Sequence, residues 1–142
     1  MTEKKKVLFI CTHNAARSQM AEGYMRAKYG DRYEAFSGGT EITRVHPMAI
    51  AVMKEIGIDI SGHRSKLTDE FYGKGIDTVV TVCDAANKVC PFFPGAKEEI
   101  HESFPDPSGL TGSEDEVRAG FRRVRDEIIR WIDATFGKSH VQ

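Results

Sequence analysis

A cysteine, then an arginine six positions later and a serine directly after it, form the segment Cys11-Thr12-His13-Asn14-Ala15-Ala16-Arg17-Ser18. Before it, Val7 to Cys11 is a run of apolar and small residues suited to a strand covered on both faces. After it, Met20, Ala21, Tyr24, Met25 and Ala27 fall at helical spacing between Ser18 and Tyr29. A loop joining strand to helix in this way makes an anion cradle. Backbone N–H groups of Thr12, His13, Asn14, Ala15 and Ala16 converge on an oxyanion, the helix N-terminus favours negative charge, and Arg17 offers a planar two-pronged donor. The same field favours thiolate over thiol, making Cys11 a competent nucleophile. Ser18 has two compatible roles, as hydroxyl donor to the Cys11 sulfur and as N-cap of the helix. His13 reads as a loop residue rather than a catalyst.

Two further features bear on chemistry. Asp106-Pro107-Ser108-Gly109 places a carboxyl in a loop rich in Pro, Gly and Ser. An acid above the cradle would protonate a leaving oxygen, whereas the same four residues are good turn formers; both roles stand open from the residues alone. Besides Cys11 the chain has Cys83 and Cys90, an odd total of three that does not suit a secreted disulfide scaffold. No Cys-x-x-Cys pair or matching His spacing supports a zinc site, and neither a metal nor a tightly bound cofactor is expected.

These residues need a frame to hold them. Tyr33 to Ser37 reads as a second strand, His46-Pro47 opens a helix carrying Ile50, Met53 and Ile56 with Gly57 as its stop, and Ile76 to Val82 reads as a third strand. Glu98 to Glu102 is a weaker fourth. From Ser113, the positions Val117, Phe121, Val124, Ile128 and Ile132 describe one long amphipathic helix, with Ser113 and Glu116 spaced as a capping box. Strands alternating with helices imply an α/β sandwich around a small, twisted, parallel sheet. Its ligand crevice lies beyond the strand C-termini, which deliver Cys11 to Arg17, Ser37 to Gly39 and Cys83. At 142 residues one domain spanning 1–142 is expected. The net charge of −1 supplies no general attraction for nucleic acid or anionic membrane, and the apolar run behind Lys4 to Lys6 is too short for a signal or a membrane span. A cytoplasmic monomer is expected.

The Cys-x5-Arg-Ser segment with the later Asp106-Pro107 resembles the low-molecular-weight protein tyrosine phosphatase superfamily. Within it, the run from Asn14 to Glu22, the Val45-His46-Pro47 stretch and the Cys83-x6-Cys90 pair are most similar to thioredoxin-coupled arsenate reductases. The resemblance spans nearly the whole chain. It implies a four-stranded parallel sheet with helices on both faces, Cys11 as nucleophile, Arg17 as oxyanion holder, Asp106 as general acid, arsenate as substrate and reduced thioredoxin as electron source.

A phosphatase has no use for two further thiols, whereas arsenate reduction needs two electrons. Cys83 is expected to attack the sulfur of a Cys11–arsenic adduct, and Cys90 to resolve the Cys11–Cys83 disulfide into Cys83–Cys90. Across one helical segment their Cα atoms would lie roughly 10 Å apart, beyond the ~7 Å a disulfide tolerates. Local unwinding is therefore required, which Pro91 eases. Ser108 and Gly109 follow the Asp-Pro pair where tyrosine phosphatases of this superfamily resemble one another in aromatic residues, so a small inorganic oxyanion suits the site better. Some members bind potassium behind the anion loop through positions matching Asn14, Glu22, Ser37 and an aspartate. Lys66 stands at the last of these, and its ammonium is expected to replace the ion by pairing with Glu22. The competing readings are a phosphatase of small phosphomonoesters and a non-catalytic oxyanion-binding redox sensor.

Overall fold

The computed structural model describes residues 4–82 and 93–137. Four strands, β1 (Lys5–Ile10), β2 (Tyr33–Gly38), β3 (Thr78–Thr81) and β4 (Glu98–His101), form one sheet in the order β2-β1-β3-β4. Every pairing is parallel, with Val7 opposite Ala35 on one side and Thr78 on the other. The sheet fulfils the expectation from strand–helix alternation, and the weak fourth candidate is its edge strand. β4 is mostly exposed and carries Glu98 and Glu99, charges that discourage a further strand from pairing there.

β1 shows why an unbroken apolar run reads as a central strand. Alternate side chains of a strand point to opposite faces. Val7 and Phe9 enter the larger core, while Leu8 and Ile10 enter a smaller one with Ile76, Val79 and Phe93. All four β1 side chains are fully buried. The larger core is closed by helices α1 (Arg17–Tyr29), α2 (Pro47–Lys54) and α3 (Glu114–Phe136), through residues such as Met20, Met53 and Phe121. Among the described residues, the opposite face is covered by Phe71 of a 3-10 helix (Thr68–Phe71) together with Phe93 and Ala96.

Element ends follow local chemistry. At α3, Ser113 Oγ accepts from the Glu116 N–H at 3.1 Å, and Glu116 Oε1 accepts from the Ser113 N–H at 2.8 Å, closing the expected capping box. α2 starts at Pro47, with the His46 ring accepting from the Met48 N–H. Its last turn closes through the Gly57 N–H on the Lys54 carbonyl, Gly57 sitting at φ 82°. β3 is shorter than the Ile76 to Val82 span read from sequence. The Asp77 N–H still reaches Lys6 O and the Val82 N–H reaches Ile10 O, so the ladder runs past the strand's formal ends.

Candidate active site

β1 ends at Ile10 and hands the chain to Cys11, which is 2% exposed and whose N–H bonds to Gly38 O across the β1–β2 edge. Residues 11–16 then loop back to α1, and Asn14 takes φ 52°, a left-handed conformation that asparagine reaches more readily than most side chains and that its surroundings here hold in place. Those surroundings are specific. Asn14 is fully buried, its Oδ1 accepts from the Lys66 N–H at 2.8 Å and from Gln19 Nε2 at 2.9 Å, and its Nδ2 donates to Ser18 Oγ at 2.7 Å. Because a backbone N–H can only donate, the Lys66 contact fixes which end of the amide faces Ser18. Ser18 Oγ therefore accepts from Asn14, leaving its own proton for Cys11 Sγ, 3.0 Å away. A hydroxyl so directed donates its hydrogen bond to the sulfur.

Helix α1 begins one residue earlier than the sequence implied. Arg17 is its first residue, and Ala16 before it offers no side-chain cap. Of the two roles read for Ser18, the structure rejects the N-cap: Ser18 lies inside the helix, fully buried, with its hydroxyl on the sulfur.

Arg17 is 4% exposed and held from two strand ends, donating from Nη1 to Phe104 O at 3.1 Å and to Val82 O at 3.3 Å. Its Nη2 lies 3.5 Å from Asp106 Oδ2. The carboxyl thus stands at the anion loop, on the residue preceding a 3-10 helix (Pro107–Gly109). Of the two readings of Asp106, the structure shows the turn, and the turn brings the carboxyl to the arginine.

The loop's outer wall closes against residues 39–46 and 65. Thr12 O accepts from the N–H groups of Thr40 and Glu41, and His13 O accepts from the hydroxyls of Thr43 and Ser65. The His13 ring turns outward, half exposed and 3.3 Å from Glu41. A groove of about 360 Å³ opens beside the loop, lined by His13, Ala15, Thr43, Arg44, His46 and Pro47.

Behind the loop, Glu22 is 3% exposed and surrounded by donors. Ser37 Oγ and Arg26 Nη2 bond to its two oxygens, Lys66 Nζ lies 3.8 Å away and His63 Nδ1 lies 4.0 Å away. The Lys66 ammonium also donates to Arg64 O at 3.0 Å. Burial disfavours the charged forms of both His63 and Lys66, while Glu22 opposes it. Asn14, Glu22, Ser37 and Lys66 thus converge, although Asn14 meets Lys66 through the backbone rather than the ammonium.

Three members of this network, Gln19, Arg26 and His63, were not read from the sequence. Gln19, fully buried, donates to Asn14 and to Arg64 O, which leaves its Oε1 to accept from His63 Nδ1 at 3.0 Å. The available signal was an amide at a helix position otherwise filled by small and apolar side chains, a placement that demands partners. Cys83 and Cys90 lie outside the described residues.

The family model for low molecular weight phosphotyrosine protein phosphatases matches residues 6–139. The chain belongs to this family. An arsenate reductase of Halalkalibacterium halodurans is 47% identical over 129 residues, 91% of this chain and 93% of that protein. Among solved structures, an arsenate reductase in the phosphate binding state superposes with a TM-score of 0.76 at 36% identity, covering 94% of this chain and 98% of that one. A thioredoxin-dependent arsenate reductase of Corynebacterium glutamicum gives 0.66 at 25% identity, over 94% of this chain and 62% of that one.

Proposed function

We propose that this protein reduces arsenate to arsenite, with Cys11 as nucleophile and Cys83 and Cys90 completing a thiol relay. The carrying observation is the Cys11 sulfur 3.0 Å from the Ser18 hydroxyl, on a loop whose Arg17 stands beside Asp106, in a chain nearly half identical to a curated arsenate reductase. In this reading the thiolate displaces a hydroxyl from arsenic(V), and the hydroxyl leaves as water with the Asp106 proton. The loop N–H groups and Arg17 hold the remaining oxygens. Cys83 then attacks the Cys11 sulfur, the S–As electron pair passes to arsenic, and arsenite departs as arsenic(III). Cys90 attacks Cys83, which frees Cys11, and reduced thioredoxin reopens Cys83–Cys90. The thioredoxin dependence of the Corynebacterium relative supports that last step.

Exposing the fully reduced protein to arsenate without reductant tests the proposal. Expected are about one equivalent of arsenite per chain, from the two electrons of one thiol pair, and a Cys83–Cys90 linkage by mass spectrometry that needs Cys11 intact. Undiminished arsenite from Cys11→Ser or Cys83→Ser would sink it. Hydrolysis of an aryl phosphate with all thiols retained, and no arsenite, would instead favour the phosphatase reading.

The same reading extends to the pocket behind the loop. Lys66 supplies there the positive charge that a potassium ion supplies elsewhere in the superfamily, its side chain being 12% exposed and its ammonium 3.8 Å from Glu22. Arsenate turnover is accordingly expected to be equal in potassium and sodium at constant ionic strength, and a several-fold gain in potassium would remove Lys66 from this role.

A further inference from the structure

Every carbonyl of the anion loop from Thr12 to Ala16 is held by a donor. Thr12 O accepts from the Thr40 and Glu41 N–H groups, His13 O from the Thr43 and Ser65 hydroxyls, Asn14 O from Gln19 Nε2, Ala15 O from the His46 N–H and Ala16 O from the Met20 N–H. The N–H groups of the same five residues have no acceptor among the described residues. A trans peptide is planar, with C=O and N–H pointing in opposite directions, so each anchored carbonyl aims the next residue's N–H away from its anchor. The peptides 12–13 and 15–16 are set by backbone donors, which any sequence could supply. Those between them are set by side chains, and the peptide 13–14 by two at once.

Ser65 is 6% exposed, and its proton is accounted for. Its Oγ accepts from the Thr43 N–H at 2.9 Å, which leaves its own hydrogen for His13 O, 3.0 Å away. The Thr43 hydroxyl reaches the same carbonyl at 3.0 Å, closer than its alternative, Arg44 O at 3.4 Å. Two hydroxyls thus hold one carbonyl against the outer wall. We propose that Ser65, seconded by Thr43, is a positioning residue for the oxyanion: by fixing His13 O it aims the Asn14 N–H into the cradle. This role rests on the reading of the loop as the oxyanion site, and Ser65 acts in it through a single peptide plane. Ser65 carries the larger share. Thr43 is exposed, so water can replace its hydroxyl, whereas loss of the Ser65 hydroxyl also leaves the Thr43 N–H without its acceptor.

Ser65→Ala is expected to weaken inorganic phosphate binding, followed by calorimetry, on the order of tenfold, about what one hydrogen bond to a charged group contributes. Thr43→Ser keeps its hydroxyl and should stay within about twofold of the parent protein. A Ser65→Ala protein that melts lower yet binds phosphate with the parent affinity would overturn the proposal, and so would a Thr43→Ser loss as large as that of Ser65→Ala. The parent protein offers a test that needs no substitution. In 15N-labelled protein, the Asn14 amide signal should move on saturation with phosphate, together with those of His13, Ala15 and Ala16. In Ser65→Ala the Asn14 movement should shrink more than the other three, and equal shrinkage at all four would refute a specific aim. An Asn14 amide that stays still while its neighbours respond removes only the role of Ser65; if none of the four responds, the oxyanion reading of the loop falls with it.

Discussion

At the anion loop, the residue with least freedom is one that carries no side chain. A Cβ on Gly39 would lie 2.6 Å from both Cys11 O and Thr12 O and 3.0 Å from Asn14 N. All three atoms are backbone of the cradle, so the neighbour cannot yield by rotating a side chain. Overpacking of this kind costs roughly 1–3 kcal/mol, and here the displaced atoms are those that set the loop's curvature. Gly39→Ala is expected to weaken inorganic phosphate binding at least ~10-fold, the equivalent of ~1.4 kcal/mol. Gly62, where an added Cβ meets nothing within 4 Å, is the control and should leave binding within about twofold when changed to Ala. Calorimetric titration of both variants decides it, and equal affinities would mean that the loop tolerates the shift. Cys11, Arg17 and Ser18 were readable because their spacing is local. The partners of Arg17 were not: Val82 O and Phe104 O lie 65 and 87 positions away along the chain, and nothing in a carbonyl's own residue type announces that it will receive a guanidinium.

Helix α2 ends in a way that its own sequence disfavours. Glu55 stands at the C-terminal cap, where the helix dipole opposes a negative charge. Three arginines of α3 reverse the sign of that environment. Arg122 binds both carboxylate oxygens at 2.7 and 2.9 Å, Arg125 reaches Oε1 at 3.1 Å and Arg118 reaches Oε2 at 3.5 Å. Hydrogen bonds from Arg122, and then from Arg125, hold the Glu55 carboxyl down to about 2, against an ordinary value near 4.5. A depressed folded-state value means that the contribution is complete above the unfolded value and is lost as pH falls toward the folded one. The Tm of the parent protein should therefore exceed that of Glu55→Gln at pH 7, and the gap should close between about pH 4.5 and pH 2. A gap that persists unchanged at the acid end would show that packing, not charge, joins these helices. Of this joint the sequence displayed only the α3 stripe and its capping box. Long amphipathic helices and central strands announce themselves by period, as α3 and β1 do. α1 was harder to delimit, because Arg17 to Met25 are buried without a break, and a helix buried all round loses the stripe that marks its face.

The molecule as a whole must keep the N-terminus of α1, which carries the anion site, in register with a core closed by α3. The far end of α1 supplies the tie. Tyr24 and Tyr29 both donate to Asp133 Oδ1 of α3, at 2.8 and 2.6 Å, from positions that are 8% and 7% exposed. Burial, reinforced by the Asp133 hydrogen bond, raises both phenols, Tyr29 to about 12 and Tyr24 further. Each phenol therefore holds its proton more tightly folded than unfolded. The resulting stability is fully present below an unfolded value near 10 and is lost as pH rises through the folded value. Cooperative unfolding with alkali is expected between about pH 10 and 12, with these two phenols ionising only as the chain opens. Asp133→Asn removes the charge while keeping an oxygen, and should cost about 1–3 kcal/mol by exchanging two charge-assisted hydrogen bonds for neutral ones. It should also let the two phenols ionise at lower pH while the chain is still folded, because the carboxylate that opposes phenolate formation is gone. Absorbance at the tyrosinate band and circular dichroism, followed together through the titration, provide the check. Transitions that coincide in the parent protein, with tyrosine ionisation moved to lower pH in Asp133→Asn, support the tie, whereas parent tyrosines that ionise well before unfolding would show that α1 and α3 are held by their apolar faces alone.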